Sequence, residues 1–404
     1  MLIEKIKAKL IENSRKEQTI KVIAKTSHGA YEGSAPSGAS TSSYEAIAFP
    51  KGVKHSVNFM NNIVNDNLKK LEISSFDDLQ KIEEKTPIVD VGGDGLIALE
   101  SVLLKALSKG NVWYFLNKEA RQVPRPVGNC VGGGMHIKGK KASDFQEFLL
   151  LSLDAQSFSK ASIINHELYG LVGKKLRSWD ETFKGEITDE GAWAPNLSNT
   201  EILDVLSNVL EKVNARIDFH VCLGLDVAAT SFFDGKKYCY KNYSSQIKEK
   251  KLSEDEQIEF LIGLVEKYNI TYLEDPLEEN DVNGFKLLKK KIGKRCLIIG
   301  DDVTATQEER LEKAKDALNA LIIKPNQAGS YIRMKAVIEK AKKYKLNCIM
   351  SHRSGETMDD IIADLAVGFN CELLKCGIYG KEREAKLKRV NAIENEIKYL
   401  KKKD

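Results

Sequence analysis

Residues 270–302 read ITYLEDPLEENDVNGFKLLKKKIGKRCLIIGDD. Two short apolar runs, ITYL and CLII, flank a stretch patterned for a helix. Each run stops at acids: Glu274 and Asp275 after the first, Asp301 and Asp302 after the second. A strand, a helix and a second strand in this order form a βα unit, and such units imply a parallel sheet. Working outward, the same rhythm recurs in VCLGL (221–225), ALII (320–323), NCIM (347–350) and ELL (372–374). From Glu274 onward the strand ends are 23 to 28 residues apart, room for one strand, one helix and two loops. The wider interval after Asp226 leaves room for an insertion, and SFFDGKKYCY (231–240) within it reads as an added hairpin or loop. Capping boxes are expected at Ser198 with Glu201, Ser253 with Glu256 and Thr306 with Glu309. Crossovers between parallel strands are right-handed, so the sheet either opens doubly wound or closes as a barrel.

The first 120 residues lack this rhythm. IKVIAK (20–25) alternates as a strand, a small-residue loop runs from Gly33 to Ser43, and helical stretches follow near 55–71 and 95–108. This predicts a small α+β domain, residues 1–120, before a β/α domain, 121–404. The proline-bearing stretch RQVPRPVGN (121–129) reads as the boundary or linker. The chain has 404 residues, 42% hydrophobic and 30% charged, with a net charge of +4. That is globular composition without a general affinity for nucleic acid. MLIEKIKAKL mixes charge into apolar positions and is not a signal peptide, and no run is long enough to span a bilayer. Seven scattered cysteines without a CxxC pair are expected to be free thiols in a reducing cytoplasm.

The strand ends carry the chemistry. They present Asp226, Glu274, Asp301, Lys324, His352 with Arg353, and Lys375 in succession. In parallel β/α folds the C-terminal strand ends converge on the ligand-binding face. Carboxylates gathered there repel one another unless a cation joins them. Asp226, Glu274 and Asp301, with no His/Cys cluster beside them, point to a hard divalent cation held by oxygen, Mg²⁺ before Zn²⁺. The lysines opposite suggest an anionic substrate and a general base.

The stretches SGAST (37–41), DEGAWAPN (189–196), LGLDVA (223–228), LEDPLEEND (273–281), GDDVTAT (300–306), LIIKPNQAG (321–329), SHRSGET (351–357) and LLKCG (373–377) resemble enolase, in order and over nearly the whole chain. The resemblance implies a TIM-like β/α barrel after a smaller α+β domain. It also implies a Mg²⁺-dependent carbon–oxygen lyase, interconverting 2-phosphoglycerate and phosphoenolpyruvate in glycolysis and gluconeogenesis. By the same resemblance Asp226, Glu274 and Asp301 hold one Mg²⁺, and Ser40 binds a second as its loop closes. Lys324 is the base at C2, Glu190 the acid at the C3 hydroxyl, Glu147 its carboxylate partner, and Lys375 the second lysine. Gln146 and His136 are substrate-side contacts, His136 on a mobile loop. Arg353 and Ser354 contact the phosphate, with His352 beside them. The metal-bound Glu274 and Asp301, with Glu147 and Lys375, also line the substrate. A homodimer is implied. A lysine base with one or two Mg²⁺ on the enediolate is the general scheme for this superfamily.

The chain departs from the family pattern at several positions, Gly132, Ser231 and Cys376 among them, and over two longer stretches. NSRKEQTIKV (13–22) differs from the usual opening, with Asn13 in place of an acid. Ser42, Ser43 and Tyr44 follow SGAST where a glycine is usual, which would stiffen the lid. These changes leave open an impaired paralogue with a binding role; an acid-sugar dehydratase of the same superfamily is a separate alternative, against which Arg353 and Ser354 suit a phosphate. Trp193 would shape the surroundings of Glu190, and EREAKLKRVNAIENEIKYLKKKD reads as a packed last helix with a basic tail.

Overall fold

A computed structural model describes residues 1–38, 42–137 and 142–402. Strands β1 (Ile3–Glu12), β2 (Gln18–Thr26) and β3 (Gly29–Ser34) form an antiparallel meander. The alternation seen in residues 20–25 extends across β1, where Ile3, Ile6 and Ala8 are buried and the intervening lysines point outward. The opening MLIEKIKAKL is therefore a strand whose charges sit on its solvent face. Behind the sheet lie a helical stretch over 53–68 and the helix Ile88–Leu107. The second begins earlier than its apolar pattern suggested and breaks at Gly92. That residue has φ +76°, and a Cβ on it would fall 1.9 Å from the Ala48 carbonyl oxygen.

Eight strands close a barrel. They are β4 (Arg125–Gly132), β5 (Glu147–Leu151), β6 (Cys222–Asp226), β9 (Ile270–Glu274), β10 (Leu297–Gly300), β11 (Ala320–Ile323), β12 (Asn347–Ser351) and β13 (Leu373–Gly377), with β13 pairing back onto β4. Between β6 and β9 the expected insertion is a hairpin of β7 (Tyr238–Tyr240) and β8 (Lys250–Leu252). Val127, Leu149, Leu151, Tyr272, Ile299, Ile322 and Ile349 fill the barrel interior. Neighbouring residues such as Phe148, Leu150 and Leu225 pack outward into the larger core. Burial on both faces is why these strands read as continuous apolar runs rather than alternating ones.

Three details differ from the sequence reading. The sheet is not wholly parallel, because β5 runs antiparallel to both β4 and β6. No crossover helix stands between β4 and β5 among the described residues, so the chain returns directly, whereas parallel neighbours need a long crossover. The stretch RPVGN is the start of β4, with Pro126 near its entry, rather than linker. The boxes at Ser198 and Ser253 form, but the one at Thr306 does not. Helix Glu308–Ala314 has Gln307 at its N-cap, and the Thr306 hydroxyl instead donates to Gln327 Oε1 at 2.8 Å and accepts from the Lys324 amide.

Candidate active site

Register sets the floor of the site. Asp226 stands opposite Glu274 across β6–β9 and Glu274 opposite Ile299 across β9–β10, so Asp301 follows just beyond the end of β10. Lys375, on β13, reaches across this floor. Its Nζ lies 2.9 Å from Asp226 Oδ2, 2.8 Å from Glu274 Oε1 and 3.2 Å from Glu147 Oε2. Lys324, just after β11, pairs with Asp301 Oδ2, whose other oxygen accepts from Gln327 Nε2 at 3.0 Å. Gln146 donates to Asp226 Oδ2 at 3.2 Å, and Tyr272 donates to Glu274 Oε2 at 2.6 Å.

The electrostatics follow from burial. All of these side chains are shut from solvent except part of Lys324. Burial, then the charge of Asp226, pushes Glu274 up to about 8. Burial and the neighbouring Asp301 likewise push Asp302 up to about 7. Burial alone would lower Lys375, but Asp226, Glu147 and Glu274 outweigh it and hold the ammonium well above its usual range. Lys324 is raised in the same sense, burial being outweighed by Asp301. The floor thus holds more carboxyl groups than its two lysines can pair with, and its acids offer oxygen ligands only. That donor set fits a hard divalent cation. Among the described residues, the groups of three or more His, Cys, Asp or Glu side chains whose ligating atoms lie within 4.8 Å of one another are His136 with Glu147 and Glu190, and Asp275 with Asp301 and Asp302. Asp226 and Glu274 are drawn to Lys375 and Asp301 to Lys324, so those three acids share a floor without forming so tight a group.

The opposite wall is built around Glu190. Its Oε2 accepts from Asn129 Nδ2 at 3.0 Å and lies 3.5 Å from His352 Nε2, while Oε1 lies 3.8 Å from His136 Nδ1. Glu147 faces the same carboxyl. Burial, reinforced by the Glu190 charge, pushes Glu147 far up, so Glu147 is the member of this pair that holds a proton. Burial would raise Glu190 too, but His136, His352, Arg383 and the Asn129 hydrogen bond turn the balance downward. Burial holds His352 neutral, its pKa pushed down to about 3. At neutral pH its pull on Glu190 is therefore absent.

The mouth carries the remaining groups. Arg353 Nη2 is held 3.1 Å from Glu45 Oε2, and the Ser354 hydroxyl accepts from Arg15 Nη1 at 3.3 Å. Gly38 lies so close that a Cβ there would stand 1.8 Å from Arg353 Nη2. Ser42 and Ser43 donate to the two oxygens of Glu279, at 2.7 and 2.9 Å. Tyr44 donates to Asn280 at 2.8 Å and lies against the Arg310 guanidinium. One cavity therefore gathers His136, Gln146, Glu147, Glu190, Asp226, Lys324, His352, Arg353, Ser354 and Lys375, with Glu274 and Asp301 beneath the lysines. Ser40 lies outside the described residues.

The family model for the enolase C-terminal TIM barrel domain matches residues 120–402. The enolases of Methanothermobacter thermautotrophicus and Methanosphaera stadtmanae are each 35% identical to the chain, covering 98% of it and 97% of their own length. That of Thermoplasma acidophilum is 32% identical, over 97% of this chain and 98% of its own. The chain belongs to the enolase family. Its departures from the enolase pattern have definite places: Asn13 donates to Ser37 Oγ at 2.6 Å, and Ser42, Ser43 and Tyr44 bond to Glu279 and Asn280 in the loop after β9. Sequence reasoning missed Asn129, Gln327, Tyr272, Glu45 and Arg383 around this site. Asn129 and Gln327 lie in the quoted stretches VGN and PNQAG. Neither belongs to a residue type that titrates, so neither stands out as a charge at a strand end.

Proposed function

We propose that the chain catalyses the reversible dehydration of 2-phosphoglycerate to phosphoenolpyruvate with Mg²⁺. The observation that carries this reading is one cavity with three strand-end carboxyls and two lysines on its floor and the facing carboxyls of Glu147 and Glu190 on its wall. Asp226, Glu274 and Asp301 would hold the first Mg²⁺, and Ser40 would join a second. Bound, the cations supply positive charge to the substrate carboxylate and give Asp301 a counter-charge other than Lys324.

Lys324 then takes the C2 proton as the neutral amine. Its pairing with Asp301 favours the ammonium, the form that returns a proton to C2 in the reverse direction. Lys375 stays charged among its three acids and stabilises negative charge developing on the substrate. The electron pair left at C2 forms the C2–C3 double bond as the C3–O bond breaks, and the Glu190–Glu147 pair donates the proton that makes the leaving hydroxyl water. Arg353 and Ser354 receive the phosphate. His136, Gln146 and His352 narrow the cavity around the reacting carbons.

In this reading residues 1–120 supply the lid side and 121–404 the chemistry, and the chain works in the cytoplasm as a homodimer. Seven free thiols support a reducing compartment. Purified protein with Mg²⁺ and 2-phosphoglycerate should develop the ultraviolet absorbance of phosphoenolpyruvate. A folded protein that produces none overturns the proposal, and turnover confined to non-phosphorylated acid sugars would redirect it to a sister dehydratase.

A further inference from the structure

Glu190 has two oxygens in different surroundings, and only one can carry the proton that leaves with the hydroxyl. Oε2 receives the Asn129 amide N–H at 3.0 Å, whereas Oε1 faces His136 at 3.8 Å. Asn129 lies on β4 opposite Gly377 of β13 and Leu149 of β5, just before a register shift that ends at Val131. Irregularities of this kind re-aim side chains at the rims of barrels. The residue is 1% exposed, and its Oδ1 has no hydrogen-bond partner among the described residues. A buried amide with one end unsatisfied is being held by its other end. Turning it over would set Oδ1 against a carboxylate, two acceptors face to face.

We propose that Asn129 is a positioning residue for the dehydration step: by donating to Oε2 it places the acidic proton on Oε1 and fixes that oxygen toward the substrate. A protonated carboxyl has one good acceptor, its carbonyl oxygen, and one donor, its hydroxyl. When the proton of the Glu147–Glu190 pair passes to Glu190, an N–H fixed on Oε2 makes that oxygen the carbonyl and leaves the hydroxyl on Oε1. From there the proton passes to the C3 hydroxyl oxygen, the C3–O bond breaks and water departs. The C2 proton leaves to Lys324 on the floor, so Asn129 has no part in that step.

This inference rests on the dehydratase reading, and the experiment separates the two. In D₂O with Mg²⁺ and 2-phosphoglycerate, NMR follows exchange of the C2 proton while absorbance follows dehydration. The variants are Asn129→Leu, close in size with no donor, and Asn129→Asp, which keeps a polar group and presents an acceptor. Glu190→Gln sets the limit for loss of the acid. Both Asn129 variants should keep C2 exchange within about threefold of wild type while dehydration falls by roughly 10- to 100-fold, the range for a misplaced catalytic group. A fall of equal size in both rates, or no fall in dehydration, overturns the role of Asn129. If wild type itself makes no phosphoenolpyruvate, the dehydratase reading fails instead.

Discussion

His352 shows what burial does to one side chain. It is neutral because burial pushes its pKa from 6.5 to about 3. A base depressed in the folded state contributes stability that is complete above the unfolded pKa and is lost as the pH falls through that window. His352→Gln should therefore flatten the decline in stability between about pH 6.5 and 3 by up to one proton, a slope of about 1.4 kcal/mol per pH unit. Urea midpoints at a series of pH values check this, and an unchanged slope would show that His352 does not carry it. Gly38 is the steric counterpart: Gly38→Ala should push Arg353 off Glu45 and raise KM for a phosphorylated substrate by roughly tenfold, since its Cβ would overlap the guanidinium. A KM equal to that of wild type would contradict the contact.

At the scale of elements, short loops do more than join strands. Thr306, read as a helix cap, is spent on holding Lys324: its hydroxyl accepts from the Lys324 amide at 3.1 Å and donates to Gln327, which in turn donates to Asp301. Thr306→Val keeps the shape and removes both bonds. It should lower kcat by roughly 10-fold or more with little change in KM, because a base displaced by a fraction of an ångström loses its alignment. The steady-state split between kcat and KM reads this directly. The Ser198 box is an ordinary cap by contrast, its backbone N–H and hydroxyl both engaged by Glu201. Ser198→Ala should cost about 1 kcal/mol of stability, measured by denaturant unfolding, and leave kcat alone.

At the scale of the molecule, the N-terminal residues are joined to the barrel at many points. Ser37 and Gly355 exchange backbone hydrogen bonds, Asn326 donates to both Pro36 O and Asp94, and Asp359 accepts from the Ser34 amide while pairing with Lys105. The Tyr331 amide donates to Glu100, a carboxyl that burial keeps protonated well above its usual range. A fragment of residues 121–404 should therefore bare these partners and yield a less soluble, inactive barrel, assessed by gel filtration and turnover. Among the described residues no helix is long and apolar enough to cross a membrane. Chelation should abolish turnover and Mg²⁺ restore it. Saturating Mg²⁺ should also raise the Tm, since a ligand of the folded state stabilises it by mass action. A Tm indifferent to Mg²⁺ would contradict a cation site on this floor.

The sequence by itself determined the β/α rhythm, because strands buried on both faces must be apolar throughout and must end where the chain meets polar groups. It also determined which acids and lysines stand at those ends. The first strand stayed hidden, because β1 mixes lysines with aliphatic residues and its alternation shows only once a buried face is known. The reversal of β5 stayed hidden as well, since EFLLL reads alike in either direction. Tertiary structure alone decided the partners: Lys375 among Asp226, Glu274 and Glu147, Lys324 on Asp301, and Asn129 on Glu190. Those residues lie tens to hundreds of positions apart, and barrel closure sets their distances. Burial then moves their protons, and no local pattern in the chain encodes how far a group will lie from water.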